Sequence, residues 1–163
     1  MKAVFDSNVY VSALATPDGV AEQALVASTE GRFQLGLSQP ILTEVLAVLS
    51  RKFARAPEQL ARVALFMASA AEMVKPDRSI DVLADDPDNR ILECAAAANA
   101  DVIVTGDHAM LALGTFEGIA IVSLRQFVDG LGHSNALHES RAPYGRAPRK
   151  PRKTPQGTQA PVT

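Results

Sequence analysis

Apolar and polar positions follow two rhythms along this chain, and the rhythms take turns. Short apolar runs at 2–5 (KAVF), 33–37 (FQLGL), 72–75 (EMVK), 101–105 (DVIVT) and 119–123 (IAIVS) read as strands. Between them lie stretches of helical period: one near 12–29, a long block over 38–51, then 57–71, 87–98, a short one over 106–113 and a closing one over 124–130. Strands separated by helices of this length predict a mostly parallel sheet covered on both faces, which is a three-layer α/β/α sandwich.

The rhythm stops after Gly132. Residues 133–163 have almost no large apolar side chains and are rich in Pro, Arg and Lys, so they bury too little surface to offset the entropy of ordering. The expected division is therefore one folded domain over 1–132 and a disordered basic tail over 133–163. At 163 residues with 47% hydrophobic content, a single core is the natural outcome. No run of about 18 apolar residues occurs, and Asp6 interrupts the start before a signal-peptide stretch forms. A soluble, cytoplasmic protein that does not enter a membrane is expected. Cys94 is the only cysteine, which excludes an intramolecular disulfide and leaves a thiolate zinc site without partners.

Charge is distributed unevenly. The tail holds six basic residues, Arg141, Arg146, Arg149, Lys150, Arg152 and Lys153, against one acid, a net charge of +5. The body holds ten basic against 17 acidic residues, a net charge of −7. An acidic body suits a nucleic-acid binder poorly unless several acids are committed to a metal ion.

Four acids are candidates for that commitment. In open α/β sheets the functional crevice lies at the carboxyl ends of the strands, and Asp6 and Asp107 directly follow two of them. Glu44 lies between Ile41 and Val48 at helical spacing, at the border of a packed face. In the segment DDPDNR, Asp86 can cap a helix and Pro87 take its first position, leaving Asp88 to project along the face of Ile91, Leu92 and Ala95. Asn89, Arg90 and Glu93 are then expected to face outward. Each acid alone has an ordinary role as a cap, turn residue or ion-pair partner.

Together they would repel, by roughly 3 kcal/mol for a pair about 5 Å apart at an effective dielectric near 20. A proton or a cation relieves that repulsion. An all-oxygen donor set suits Mg²⁺ or Mn²⁺ over Zn²⁺, and His108 reads as a surface residue. Hard metals in such a setting activate water and stabilise charge on a phosphate, so phosphodiester hydrolysis is the indicated reaction.

On VFDSN, SQPILTEVLAVLSRK, DDPDNRILECA and ADVIVTGDHAML followed by IVSLRQF, the chain resembles the PIN-domain ribonucleases over residues 2–130. The likeness is closest to the VapC-like toxins of bacterial toxin–antitoxin pairs. The resemblance implies a metal pocket of Asp6, Glu44, Asp88 and Asp107, supported by Asn8 and Thr105. It also implies an RNA substrate, a homodimer and a cognate antitoxin. One feature departs from the pattern: related sequences often carry consecutive acids after the proline, whereas here Asp85 and Asp86 precede Pro87 and Asp88 alone follows. Asp88 is preferred for its spacing to Ile91, with Asp86 as the substitute.

Three other readings compete. A haloacid-dehalogenase-type phosphatase wants a second Asp two residues after the first, where Asn8 stands. A response-regulator receiver needs an acidic pair near the first strand, which is absent. A catalytically silent module that binds RNA or protein would have no need of all four acids.

Overall fold

The computed structural model describes residues 1–139. Its elements in chain order are β1 (Lys2–Phe5), α1 (Ser7–Ala15), α2 (Val20–Thr29), β2 (Gln34–Leu37), α3 (Gln39–Phe53), α4 (Pro57–Ala70), β3 (Glu72–Met73), α5 (Asp86–Ala98), β4 (Val102–Val104), α6 (His108–Leu113), β5 (Thr115–Phe116), β6 (Ile119–Val122) and α7 (Leu124–Glu139). The six strands form one sheet in the order β3-β2-β1-β4-β6-β5. Every pairing is parallel except that of β5 with β6. The mostly parallel α/β/α sandwich expected from the sequence is the observed architecture.

The order of the strands fixes where a site can form. From β1 the chain first builds outward through β2 and β3, then returns to place β4 on the other side of β1. Connections on either side of β1 and β4 therefore diverge, and the crevice at the carboxyl end of this pair is the topological switch point. Asp6 leaves β1 there, and Thr105 and Asp107 leave β4 there.

Alternation along β1 explains how both faces are covered. Phe5 packs its ring against Tyr10, Phe33 and Phe127 at centroid distances of 5.7–5.8 Å. Each such ring contributes roughly 2–3 kcal/mol by burial. Val4 points to the opposite face, where α5 lies across β1 and β2. The fit there is close: a Cβ on Gly36, the register partner of Val4, would stand 2.8 Å from the Ala98 Cβ and 3.3 Å from the Val4 Cγ2. Only glycine lets the helix approach β2 this closely.

Four sequence-based expectations are corrected. The single helix near 12–29 is two helices, and the first begins at Ser7, capped by Asp6. Thr16-Pro17-Asp18-Gly19 breaks them apart: proline cannot continue the hydrogen-bond ladder, and Asp18 takes a left-handed φ of 61°. A short strand, β5, was not foreseen; two residues are too few for a period to register. Helix α7 runs through Glu139, past the end expected at Gly130. The remainder of the expected tail, with Arg141, Arg146, Arg149, Lys150, Arg152 and Lys153, lies outside the described residues.

The fourth correction concerns α5. Asn89 and Glu93 are buried and Arg90 is half-buried, not outward-facing. The segment 74–85, which connects β3 to α5 without regular structure, lies against that side of the helix. It gives α5 a second buried side that the periodicity of the helix itself does not announce.

Candidate active site

Asp6 is held from two directions. Its Oδ2 accepts a 2.6 Å hydrogen bond from the Thr105 hydroxyl, and its Oδ1 accepts from the Asn8 backbone N–H at 3.2 Å as the N-cap of α1. Thr105 is fully buried, and the same hydroxyl oxygen accepts from the Asp107 backbone N–H at 3.0 Å. One threonine thus ties the Asp6 carboxylate that leaves β1 to the Asp107 backbone that leaves β4. Asp107 in turn caps α6, its Oδ1 accepting from the Met110 N–H at 2.9 Å. Asn8 takes part through its backbone only among the bonds of the described residues, and its side chain is exposed. His108 is exposed, as expected.

Asp88 and Glu44 complete the group. Asp88 stands in the first turn of α5, is only 8% exposed, and leaves its Oδ2 buried without a hydrogen-bond partner. Glu44 is half-buried on α3. Electrostatic influence ties the acids together: Asp88 feels the negative charge of Asp107, Asp6, Asp85 and Glu44, in falling order, and Glu44 feels Asp6 and Asp85. Asp6 feels Asp107. All four expected acids therefore share one neighbourhood. Among the described residues no three of them close on one point at ligating distance.

The division of labour foreseen in DDPDNR is shifted by one residue. Asp85 is the N-cap of α5, Asp86 its first residue, and Pro87 the next. Asp86, the expected substitute ligand, is 79% exposed and pairs with Arg90 at 3.3 Å, one turn along the helix. It points away from the acids, because positions i and i+4 lie on one side and Asp88 lies on another. Asp85 is the acid that sequence reasoning passed over. Its carboxylate makes no capping bond, and its backbone carbonyl accepts from the Asp88 N–H at 3.1 Å.

Burial and mutual repulsion set the protonation of the group. Desolvation raises Asp6 above the usual carboxylate range, partly offset by the Thr105 hydrogen bond. Desolvation followed by repulsion from Asp6 and Asp85 raises Glu44, with Arg51 opposing. Asp88 is pushed up to about 6, first by desolvation and then by Asp107 and Asp6. A carboxylate in the first turn of a helix is ordinarily favoured by the helix dipole; here burial among like charges outweighs it. The unpartnered Asp88 Oδ2 and an all-oxygen donor set fit a hard divalent cation and offer nothing to a thiophilic one.

Elsewhere the described residues hold no helix long and apolar enough to cross a membrane. Cys94 is fully buried beneath this region, its thiol pushed up to about 11 by desolvation, so it is an inert core residue as its spacing from Ile91 implied.

Comparison with known proteins bears on the family and the fold. Over 117 residues the chain is 27% identical to the uncharacterized protein MJ1680 of Methanocaldococcus jannaschii, covering 69% of this chain and 75% of that one. Its fold is similar to that in the crystal structure of VapBC2 from Rickettsia felis bound to a DNA fragment from their promoter. The TM-score is 0.53 at 15% identity, over 76% of this chain and 98% of the other. The family model described as PIN domain matches residues 2–109, which include Asp6, Glu44, Asp88, Thr105 and Asp107. The haloacid-dehalogenase and receiver readings fall with that match: the chain belongs to the PIN domain family.

Proposed function

We propose that this protein is a divalent-cation-dependent endoribonuclease and the toxic member of a toxin–antitoxin pair. The observation that carries the reading is the buried, unpartnered Asp88 Oδ2, lying in the field of Asp107, Asp6 and Glu44 at the switch point of the sheet. A buried carboxylate oxygen without a donor is costly unless a proton or a cation meets it. Membership in the PIN domain family supports nuclease chemistry, and the likeness of the fold to a VapBC2 complex supports an antitoxin partner.

Mg²⁺ or Mn²⁺ held by Asp6, Glu44, Asp88 and Asp107 would supply Lewis acidity toward a phosphodiester. The chain's own residues do the positioning. Thr105 spends its proton on Asp6 Oδ2 and its lone pair on the Asp107 N–H, so the Asp6 carboxylate is oriented and the backbone that carries Asp107 is held beside it. Capping of α6 takes one oxygen of Asp107 and leaves the other available. Asp88, with a pKa of about 6, exchanges its proton near neutrality and passes to the charged form that a cation requires. Glu44 reaches in from α3 on a longer, half-buried side chain.

RNA is the substrate class and the homodimer the assembly that accompany this reading; light scattering on the purified chain tests the assembly. The activity is tested by incubating the full-length protein with RNA in Mg²⁺ or in EDTA, beside an Asp6→Asn, Asp107→Asn double variant. Cleavage in Mg²⁺ only, lost in the variant and yielding 5′-phosphate and 3′-hydroxyl ends, is the expected result. A 2′,3′-cyclic phosphate product contradicts the chemistry. Equal growth of cells expressing wild type and Asp6→Asn contradicts the toxin assignment.

A further inference from the structure

We propose that residues 76–85 form a strap that brings Asp85 to the carboxylate group as a fifth acid of the cation site, and that Asn89 is the positioning residue that fixes the strap. The inference rests on the cation-site reading above and extends it to two residues that reading does not use.

The strap is tied to α5 at successive points. Glu93 Oε1 accepts from the Ile80 N–H at 2.8 Å, and Arg90 donates to the Ile80 carbonyl at 3.2 Å while pairing with Glu93 at 3.0 Å. Asn89 Oδ1 accepts from the N–H groups of Val82 and Leu83 at 3.1 and 2.9 Å, and its Nδ2 donates to the Leu83 carbonyl at 2.8 Å. Nearer its start, Arg78 forms a two-pronged pair with Glu117 in the β5–β6 turn. Ile80 and Leu83 are buried beneath it.

Asn89 is the decisive tie. It is 1% exposed, and three of the four hydrogen bonds its amide can form go to the strap. An amide that accepts from two successive N–H groups and donates to the adjoining carbonyl fixes the orientation of that peptide as well as its place. Asp85 follows Leu83 by two residues, so its Cα lies within about 7 Å of the clamped point. Its carboxylate is not consumed by the capping role its position would ordinarily give it. Asp88, whose backbone N–H bonds to the Asp85 carbonyl, is more than nine-tenths buried and has an unpartnered Oδ2. A strap that slackened would carry the Asp85 carboxylate away from the acids.

The test titrates Mn²⁺ into the metal-free full-length protein by calorimetry, for wild type, Asp6→Asn, Asp86→Asn, Asp85→Asn, Asn89→Ala and the Asp85→Asn, Asn89→Ala double variant. Asp85→Asn and Asn89→Ala should each weaken Mn²⁺ about 10-fold, the scale of losing a residue that supports a metal ligand. Asp86→Asn should match wild type. Because Asn89 acts through Asp85, the double variant should be no weaker than either single one. Hydrogen exchange should quicken at the Val82 and Leu83 amides in Asn89→Ala and stay slow in the core of α5, which separates a loosened strap from an unfolded helix.

Losses that multiply in the double variant, or an Asp85→Asn variant that binds as Asp86→Asn does, overturn the strap proposal while leaving the cation site intact if Asp6→Asn has lost Mn²⁺. Wild type and Asp6→Asn binding Mn²⁺ alike, or not at all, overturns both.

Discussion

The protonation of Asp88 makes the stability of the metal-free protein depend on pH in a direction opposite to that of ordinary ion-paired carboxylates. Its pKa rises from 3.8 to about 6 on folding, so the folded state binds the proton more tightly than the unfolded chain. The stabilisation is complete below the unfolded pKa and is lost as pH rises through the folded one. At full strength this amounts to about 3 kcal/mol. Half-buried Glu44 and Asp107 leave the group partly open to water, and screening there reduces the effect to about 1.5 kcal/mol. For a chain of this size that corresponds to a fall in Tm of about 5 °C between about pH 4 and about pH 7.5.

The assay is thermal unfolding in EDTA across that range, with the Asp88→Asn variant as reference. Asparagine keeps the shape and removes both the titration and the repulsion that Asp88 exerts on its neighbours, so the difference between the two curves reports the coupled group as a whole. Wild type should lose stability relative to the variant as pH rises, and Mg²⁺ at ten times its Kd should return about 1.4 kcal/mol to wild type at the upper end. Parallel curves in EDTA, or a gap that widens in favour of wild type at high pH, would refute the claim that Asp88 is buried among like charges.

Two further outcomes follow from packing and hydrogen bonding. Thr105→Val preserves volume but removes the donor to Asp6 and the acceptor for Asp107; it should cost about 1.5–3 kcal/mol of stability by chemical denaturation and raise the pKa of Asp6 further by NMR titration. An unchanged Asp6 titration would mean that the 2.6 Å contact contributes nothing. Gly36→Ala should lower stability by about 1–3 kcal/mol, because the Ala98 Cβ, 2.8 Å from the added methyl, is fixed to the helix backbone. Adding Ala98→Gly should recover part of that loss, and no recovery would show that the strain lies elsewhere.

The four acids were legible in the sequence because each sits where a regular element ends or turns its packed side. Asp6 and Asp107 follow apolar runs too plain to misread, and parallel pairing of β1 with β4 brings them together as strand order requires. Glu44 and Asp88 were placed by helical spacing against Ile41, Val48 and Ile91, all of them buried except at the borders where the acids emerge. Thr105 was reached through the resemblance alone; a threonine one residue after a strand has no distinguishing period. Asn8 was named as a supporting residue, and it contributes through its backbone N–H, a contribution that no residue type encodes.

Asn89, Arg90 and Glu93 were misplaced for a shared physical reason. Periodicity identifies the side of a helix that meets a sheet, since both partners are regular, and on that criterion Asn89, Arg90 and Glu93 fall outside. The strap that covers them is irregular, so the burial it creates has no period on either partner. A signal was nevertheless present: a connection of twelve residues between β3 and α5 is long for this kind of fold, and it carries Ile80, Val82 and Leu83. Apolar residues in a long connection need a surface to cover, and the polar side of the next helix can be that surface only if its side chains satisfy the backbone laid on them. Asn89 and Glu93 have the acceptors and donors to do so. The same reasoning supports the place proposed for Asp85, because a cap that makes no side-chain bond keeps its carboxylate for another role.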